Sequence, residues 1–155
     1  MRYPFSVFLT VIVMFSGCAR ESDSGVSTKE SAYLRELGVL SEGETVFFFA
    51  SSSRFRQSGN FFTDQRVASY WIDDSDSSKT EKDYAWYSDV SDISVTYNDD
   101  WDLSHDITIT RHDGTSFHVY VSTDREFARR FFDRLTEQWK KASPDEGQVP
   151  TTPST

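Results

Sequence analysis

The chain has 155 residues, a formal net charge of −9 and a large aromatic content that includes thirteen phenylalanines. So acidic a balance excludes blanket attraction to nucleic acid, which needs a basic face. A single cysteine excludes an intrachain disulfide, so hydrophobic burial must build the core unaided; the aromatics suffice for one domain of about 100 residues.

The chain opens Met1-Arg2-Tyr3-Pro4, continues in an uncharged apolar run from Phe5 to Phe15, and reaches the small residues Ser16 and Gly17. A membrane-spanning helix needs about 20 apolar residues, whereas a secretory leader uses about 7–15 followed by small residues at the cut. Residues 1–17 therefore read as a signal peptide. The stretch Phe15-Ser16-Gly17-Cys18 resembles the lipobox of bacterial lipoproteins. That resemblance implies cleavage before Cys18, a thioether-linked diacylglycerol on its sulfur and an acylated new amino terminus. Two or three acyl chains, at about 0.8 kcal/mol per buried methylene, would hold the protein at a membrane without spanning it. Lipoproteins retained at the inner membrane commonly carry aspartate after the cysteine; Ala19 in that position implies the outer membrane, facing the periplasm. Cleavage removes Arg2 and no acid, so the charge moves to −10.

Residues 18–26 are small, polar and unpatterned, and read as a flexible tether reaching about 15 Å. The last segment, 143–155, carries three of the four prolines and almost no apolar side chains, the composition of a disordered tail. Between them lies one domain, 27–142. Ser27-Thr28-Lys29-Glu30 has capping-box spacing and predicts a helix over 28–37 that stops at Gly38. The stretches 45–50, 60–63, 66–72, 83–88 and 92–97 are rich in β-branched and aromatic residues and are separated by turn-forming clusters, which predicts short antiparallel strands.

The hairpin Asp106–Ser122 fixes its own register. A three-residue loop, His112-Asp113-Gly114 with Gly114 left-handed, sets Ile109 opposite Phe117 and Ile107 opposite Val119, whereas a two-residue turn would split the apolar face. Strands thus fill 45–121. A closing helix over 123–141 follows, begun by a capping box at Thr123–Glu126. Phe127, Phe131, Leu135 and Trp139 form one stripe along it, suited to plugging an open barrel end.

The fold class is mainly β with a C-terminal α-helix, the layout of the pleckstrin-homology-like (PH-like) fold. Three motifs carry a resemblance to the bacterial PH-like domains over about residues 38–141: Leu40-Ser41-Glu42-Gly43-Glu44, Gly59–Val67 with its Thr63-Asp64-Gln65-Arg66-Val67 core, and Tyr87-Ser88-Asp89-Val90-Ser91-Asp92-Ile93. The resemblance implies an antiparallel barrel or sandwich capped by one amphipathic helix, and a binding role without chemistry. Each motif also has a purely structural explanation: 63–66 is a tight turn, and Arg66 pairs with a carboxylate.

No nucleophile elbow, phosphate loop or dinucleotide fingerprint is present. His105 and His112 lie at the two ends of one extended strand, about 20 Å apart at 3.3 Å per residue, too far to share a metal. His118 falls on the face opposite Phe117, so the three histidines read as solvated. The acidic run from Asp73 does not fit a calcium loop, because Lys79 and Ala85 occupy its glycine and glutamate positions; it reads as a hairpin tip.

The expected function is therefore a non-catalytic protein or peptide-binding module, anchored at a membrane through Cys18, with no cofactor, metal or nucleic acid. The alternative is anionic lipid headgroup binding through Arg54 and Arg56, the only charges between Glu44 and Asp64, since the guanidinium fork suits phosphate.

Overall fold

The computed structural model describes residues 20–22, 25–51 and 54–143. The expected leader with Cys18, and the expected tail beyond Ser143, lie outside the described residues.

A five-stranded antiparallel sheet has the order β1 (Arg20–Ser22), β2 (Val46–Ser51), β3 (Ser58–Thr63), β4 (Arg66–Trp71) and β5 (Glu81–Trp86). A second sheet joins β6 (Val90–Thr96), β7 (Asp106–Arg111) and β8 (Ser116–Tyr120). Helix α1 (Thr28–Glu36) precedes β2, and α2 (Arg125–Ala142) follows β8. The chain passes from one sheet to the other through a single 3-10 turn at Tyr87–Asp89.

Both apolar layers use the first sheet. On one face, Leu34 of α1 with Val39 and Leu40 covers Phe49, Phe61, Ala68 and Tyr70. On the other, Phe48, Phe62, Val67 and Ala85 meet Ile107, Ile109, Phe117 and Val119 of the second sheet. Phe127, Phe131 and Leu135 of α2 enter this inner layer, as their four-residue spacing predicts. Burying each such side chain contributes about 1.5–3 kcal/mol.

The β7–β8 hairpin has the expected register, Ile107 with Val119 and Ile109 with Phe117, and Gly114 has φ of 84°. The capping box at Ser27 and Glu30 forms. Helix α2 starts later than expected, because Asp124 caps it in place of Thr123: the Asp124 carboxylate accepts from the N–H groups of Glu126 (2.8 Å) and Phe127 (2.9 Å). A carboxylate suits the positive helix terminus better than a hydroxyl.

Two expectations need correction. The sheets do not close into a barrel; they form a sandwich linked at its sides by side chains, since no ladder runs between them among the described residues. The segment expected as a free tether is partly folded. Arg20–Ser22 pairs antiparallel with β2, Arg20 opposite Ser51, because β2 would otherwise leave an open sheet edge. Gly25 is buried at φ of 78°, and a Cβ there would run into the Val46 carbonyl oxygen, so this position requires glycine.

Candidate functional site: a polar groove between the sheets

Strands β3, β4 and β5 carry the inner layer only part of the way along their length. Toward the end remote from Thr63 and Arg66, the same inward-facing rows change character. Phe62 gives way to Asn60 and Ser58, Val67 to Ser69 and Trp71, and Ala85 to Asp83 and Glu81. Opposite these rows the second sheet diverges, and a groove of about 860 Å³ opens between them. Its far wall is β8, through Phe117, His118 and Tyr120, and the 97–105 loop, through Asn98, Leu103 and Ser104. Inward-facing amides, hydroxyls and carboxylates add nothing to an apolar core; a cavity lined by them with apolar walls is the usual form of a binding site.

The floor is rigid. Asn60 is buried, its Nδ2 donates to the Tyr120 carbonyl (2.7 Å), and its Oδ1 accepts from the Ser69 hydroxyl (2.8 Å), so one amide ties β3, β4 and β8 together. On the other flank, Arg111 of β7 donates to the Asp83 carboxylate and to the Tyr84 carbonyl (2.9 Å) of β5. The 97–105 loop closes on itself: Asn98 N–H donates to His105 Nδ1 (3.0 Å), and Asn98 Nδ2 donates to the Ser104 carbonyl (2.5 Å). Large apolar side chains are exposed around the rim, Trp71, Leu103 and Tyr120 in the groove and Trp101 beside it, the last 88% exposed. Exposed apolar side chains concentrated in one place mark interaction sites, whereas scattered ones do not.

The sequence motifs converge elsewhere. Arg66 is 2% exposed; its Nε donates to Glu44 Oε1 (2.9 Å), its Nη2 donates to Glu44 and to the Ser41 hydroxyl, and its guanidinium stacks at 3.7 Å from the Trp86 ring centroid. The Leu40–Glu44 and Thr63–Val67 motifs thus meet in one buried ion pair. Thr63 Oγ1 accepts from the N–H groups of Gln65 (2.9 Å) and Arg66 (3.0 Å), forming the expected tight turn. The motifs serve the fold, consistent with their structural explanation.

Arg54 and Arg56 are exposed on the β2–β3 connection and line no part of the groove. Phe55 between them packs against Phe49 (4.9 Å between ring centroids) and Tyr33 (5.9 Å), which turns its neighbours outward. Arg56 lies 5.1 Å from the Tyr33 ring centroid, and its carbonyl accepts from the Tyr33 hydroxyl (2.7 Å).

The structure keeps the three histidines apart. His112 is exposed at the β7–β8 turn, and His118 is exposed on β8 beside Asp106 (2.9 Å). His105 departs from the expectation of a solvated ring: it is buried, edge-on to Tyr97 at 5.5 Å between centroids, because its Nδ1 organises the 97–105 loop. Burial, reinforced by the nearby Arg125 charge, holds its imidazole below the ordinary range against the opposing pull of Asp124 and Asp99. The folded ring therefore takes up its proton at a lower pH than the unfolded one, so unfolding just below about pH 6.5 is coupled to proton uptake. Stability contributed by the neutral ring is present above that pH and lost as pH falls, with a slope of up to about 1.4 kcal/mol per pH unit. His105→Gln should flatten the decline between about pH 7 and 5 in urea midpoints; equal slopes in both proteins would refute the assignment.

A search of solved structures finds a DUF1696 family protein with a pleckstrin-homology domain from Shewanella loihica PV-4, similar over 78% of this chain and 99% of that chain, with a TM-score of 0.51 at 15% identity. At that identity the likeness shows the fold alone: mainly β, two antiparallel sheets and a C-terminal helix in the PH-like arrangement. No family model and no curated protein matches the sequence.

Proposed function

We propose that this protein is a membrane-anchored envelope lipoprotein whose PH-like domain works as a non-catalytic protein or peptide-binding module, with the partner segment held in the groove. The observation that carries this reading is the change from apolar to polar inward-facing residues along β3, β4 and β5 where the groove opens. A second feature supports an extended peptide as the occupant. Strand β8 is the last strand of its sheet and borders the groove, so the part of its outer edge beyond the Tyr120 carbonyl, which Asn60 already holds, can add a partner segment through backbone hydrogen bonds while the groove selects its side chains. Anchoring through acylated Cys18 at the periplasmic face of the outer membrane rests on the lipobox resemblance.

The test is a photo-crosslinking side chain introduced in living cells at Tyr120, in the groove, or at Tyr84, exposed on the other face of the first sheet. A discrete adduct from position 120 and none from 84 is the expected result; the same adducts from both positions would count against the groove. Cys18→Ser, in the same cells, should move the protein from the membrane to the soluble fraction, and unchanged fractionation would refute the anchor.

The alternative reading, an anionic headgroup at Arg54 and Arg56, draws support from the β1 register, which sets Arg20 beside Ser51 and so brings the start of the chain next to this loop. Arg54→Glu with Arg56→Glu in the unacylated form should then abolish binding to anionic vesicles.

A further inference from the structure

The groove has a charge as well as a shape. The two segments that frame it, 73–83 and 98–106, contain nine carboxylates against two lysines, Lys79 and Lys82. Four of those carboxylates are engaged by basic side chains: Asp83 by Arg111, Asp106 by His118, Asp99 by Arg125 and Asp76 by Lys79. Lys82 borders the groove, but its Nζ is turned toward α1, where it donates to the Leu37 carbonyl (3.1 Å). Glu81 lines the groove, while Asp100 and Asp102 flank Trp101 on the loop that supplies Leu103; these three have no cationic partner among the described residues. Aromatic rings stand beside them, Trp71 and Tyr120 in the groove and Trp101 next to it.

We infer that the groove selects a basic segment, with a lysine or arginine side chain lying along Trp71 and Tyr120 and its charge met by Glu81, Asp100 and Asp102. This deepens the peptide-binding reading and rests on it. The chemistry is that of a cation over an aromatic face beside unpaired carboxylates. Each such contact supplies about 0.5–1 kcal/mol at an exposed site, and potentials of one sign across a cleft favour a partner of the other. An acidic occupant is disfavoured on the same grounds. The chain's own last segment, 144–155, is such an occupant, with Asp145 and Glu146 and no lysine or arginine. That tail is therefore not the occupant, which is instead a basic segment of a partner.

The experiment uses the full chain in detergent and three extended octapeptides, alternating lysine, glutamine or glutamate with serine, measured by titration calorimetry. The lysine peptide should bind saturably, about tenfold or more tighter than the glutamine peptide, and weaken about tenfold from low to physiological salt. The glutamate peptide should not bind. Trp71→Ala, and Glu81→Lys combined with Asp102→Lys, should each remove the preference; all three positions are exposed, and thermal unfolding confirms that the variants remain folded. Equal binding of lysine and glutamine peptides would overturn the charge selection while leaving the peptide groove standing. No binding by any of the three peptides would overturn both. Lysine-peptide binding unchanged by the variants would place it elsewhere on the acidic surface, and displacement by a neutral N-acetylglucosamine oligomer would make the groove a saccharide site; either result refutes the inference.

Discussion

Arg66→Met is expected to destabilise the protein by about 3–5 kcal/mol, because it leaves the Glu44 carboxylate buried without its cation. Both partners of this pair are almost wholly inaccessible, and Glu44 Oε2 has no hydrogen-bond partner among the described residues, so the charge has no alternative stabilisation. The guanidinium is also a structural slab. It lies against Trp86 and Tyr84, at 3.7 and 4.6 Å from their ring centroids, and its loss opens space on β5. Replacing both partners, Glu44→Leu with Arg66→Met, should recover most of the deficit, since two apolar side chains of similar volume avoid the desolvation of two charges. Urea denaturation of the four proteins of this cycle measures the coupling. A single-variant loss under about 1 kcal/mol would show that the pair is hydrated in solution.

Phe131→Ala should cost a comparable amount, about 3–5 kcal/mol, through the cavity it leaves. Phe131 is fully buried, with its ring 5.3 Å from that of Phe48 and 5.1 Å from that of Phe62, both edge-on. It is where α2 meets the inner face of the first sheet, and the surrounding strands are held by their ladders, so the site cannot collapse to fill the void. Phe132 next to it is only half-buried, and Phe132→Ala should cost clearly less. Equal losses at the two positions in urea midpoints would mean that α2 is rotated about its axis from the arrangement described.

The apolar stripe of α2 was legible in the sequence from the four-residue spacing of Phe127, Phe131 and Leu135, but the contrast between Phe131 and Phe132 was not, since Phe132 sits beside that stripe and only the packing shows it half-buried. The β7–β8 hairpin was legible for a similar reason. Its strands are buried on one face only, so Ile107, Ile109, Phe117 and Val119 alternate with polar residues, and just one register keeps them together. The first sheet is covered on both faces, by α1 on one side and by α2 with the second sheet on the other. Runs such as Val46–Ala50 therefore show no alternation, and nothing in them marks which face is inner. That is why Asn60, Ser69 and Asp83 did not stand out: the sequence shows polar residues in strands, and only the pairing reveals that all three point into the sandwich.

His105 was misread because a histidine between Ser104 and Asp106 has no local signature of burial; it arises from the way the 97–105 loop folds around it. Strand β1 was missed for a related reason. Arg20-Glu21-Ser22 has no strand-forming pattern of its own and pairs only because β2 offers a vacant edge. The ion pair between Glu44 and Arg66 was partly foreseen, in that a carboxylate partner for Arg66 was expected but not which one.

Strand β1 also bears on posture. A leash of eight coil residues would let a domain swivel and roam about 15 Å from its mooring. With Arg20 locked to Ser51, only two peptide links separate the sheet from Cys18, a reach of at most about 7 Å. For a chain moored at that sulfur, the β1–β2 margin would stay within that reach of the bilayer, and this edge of the sandwich would be the one turned toward it.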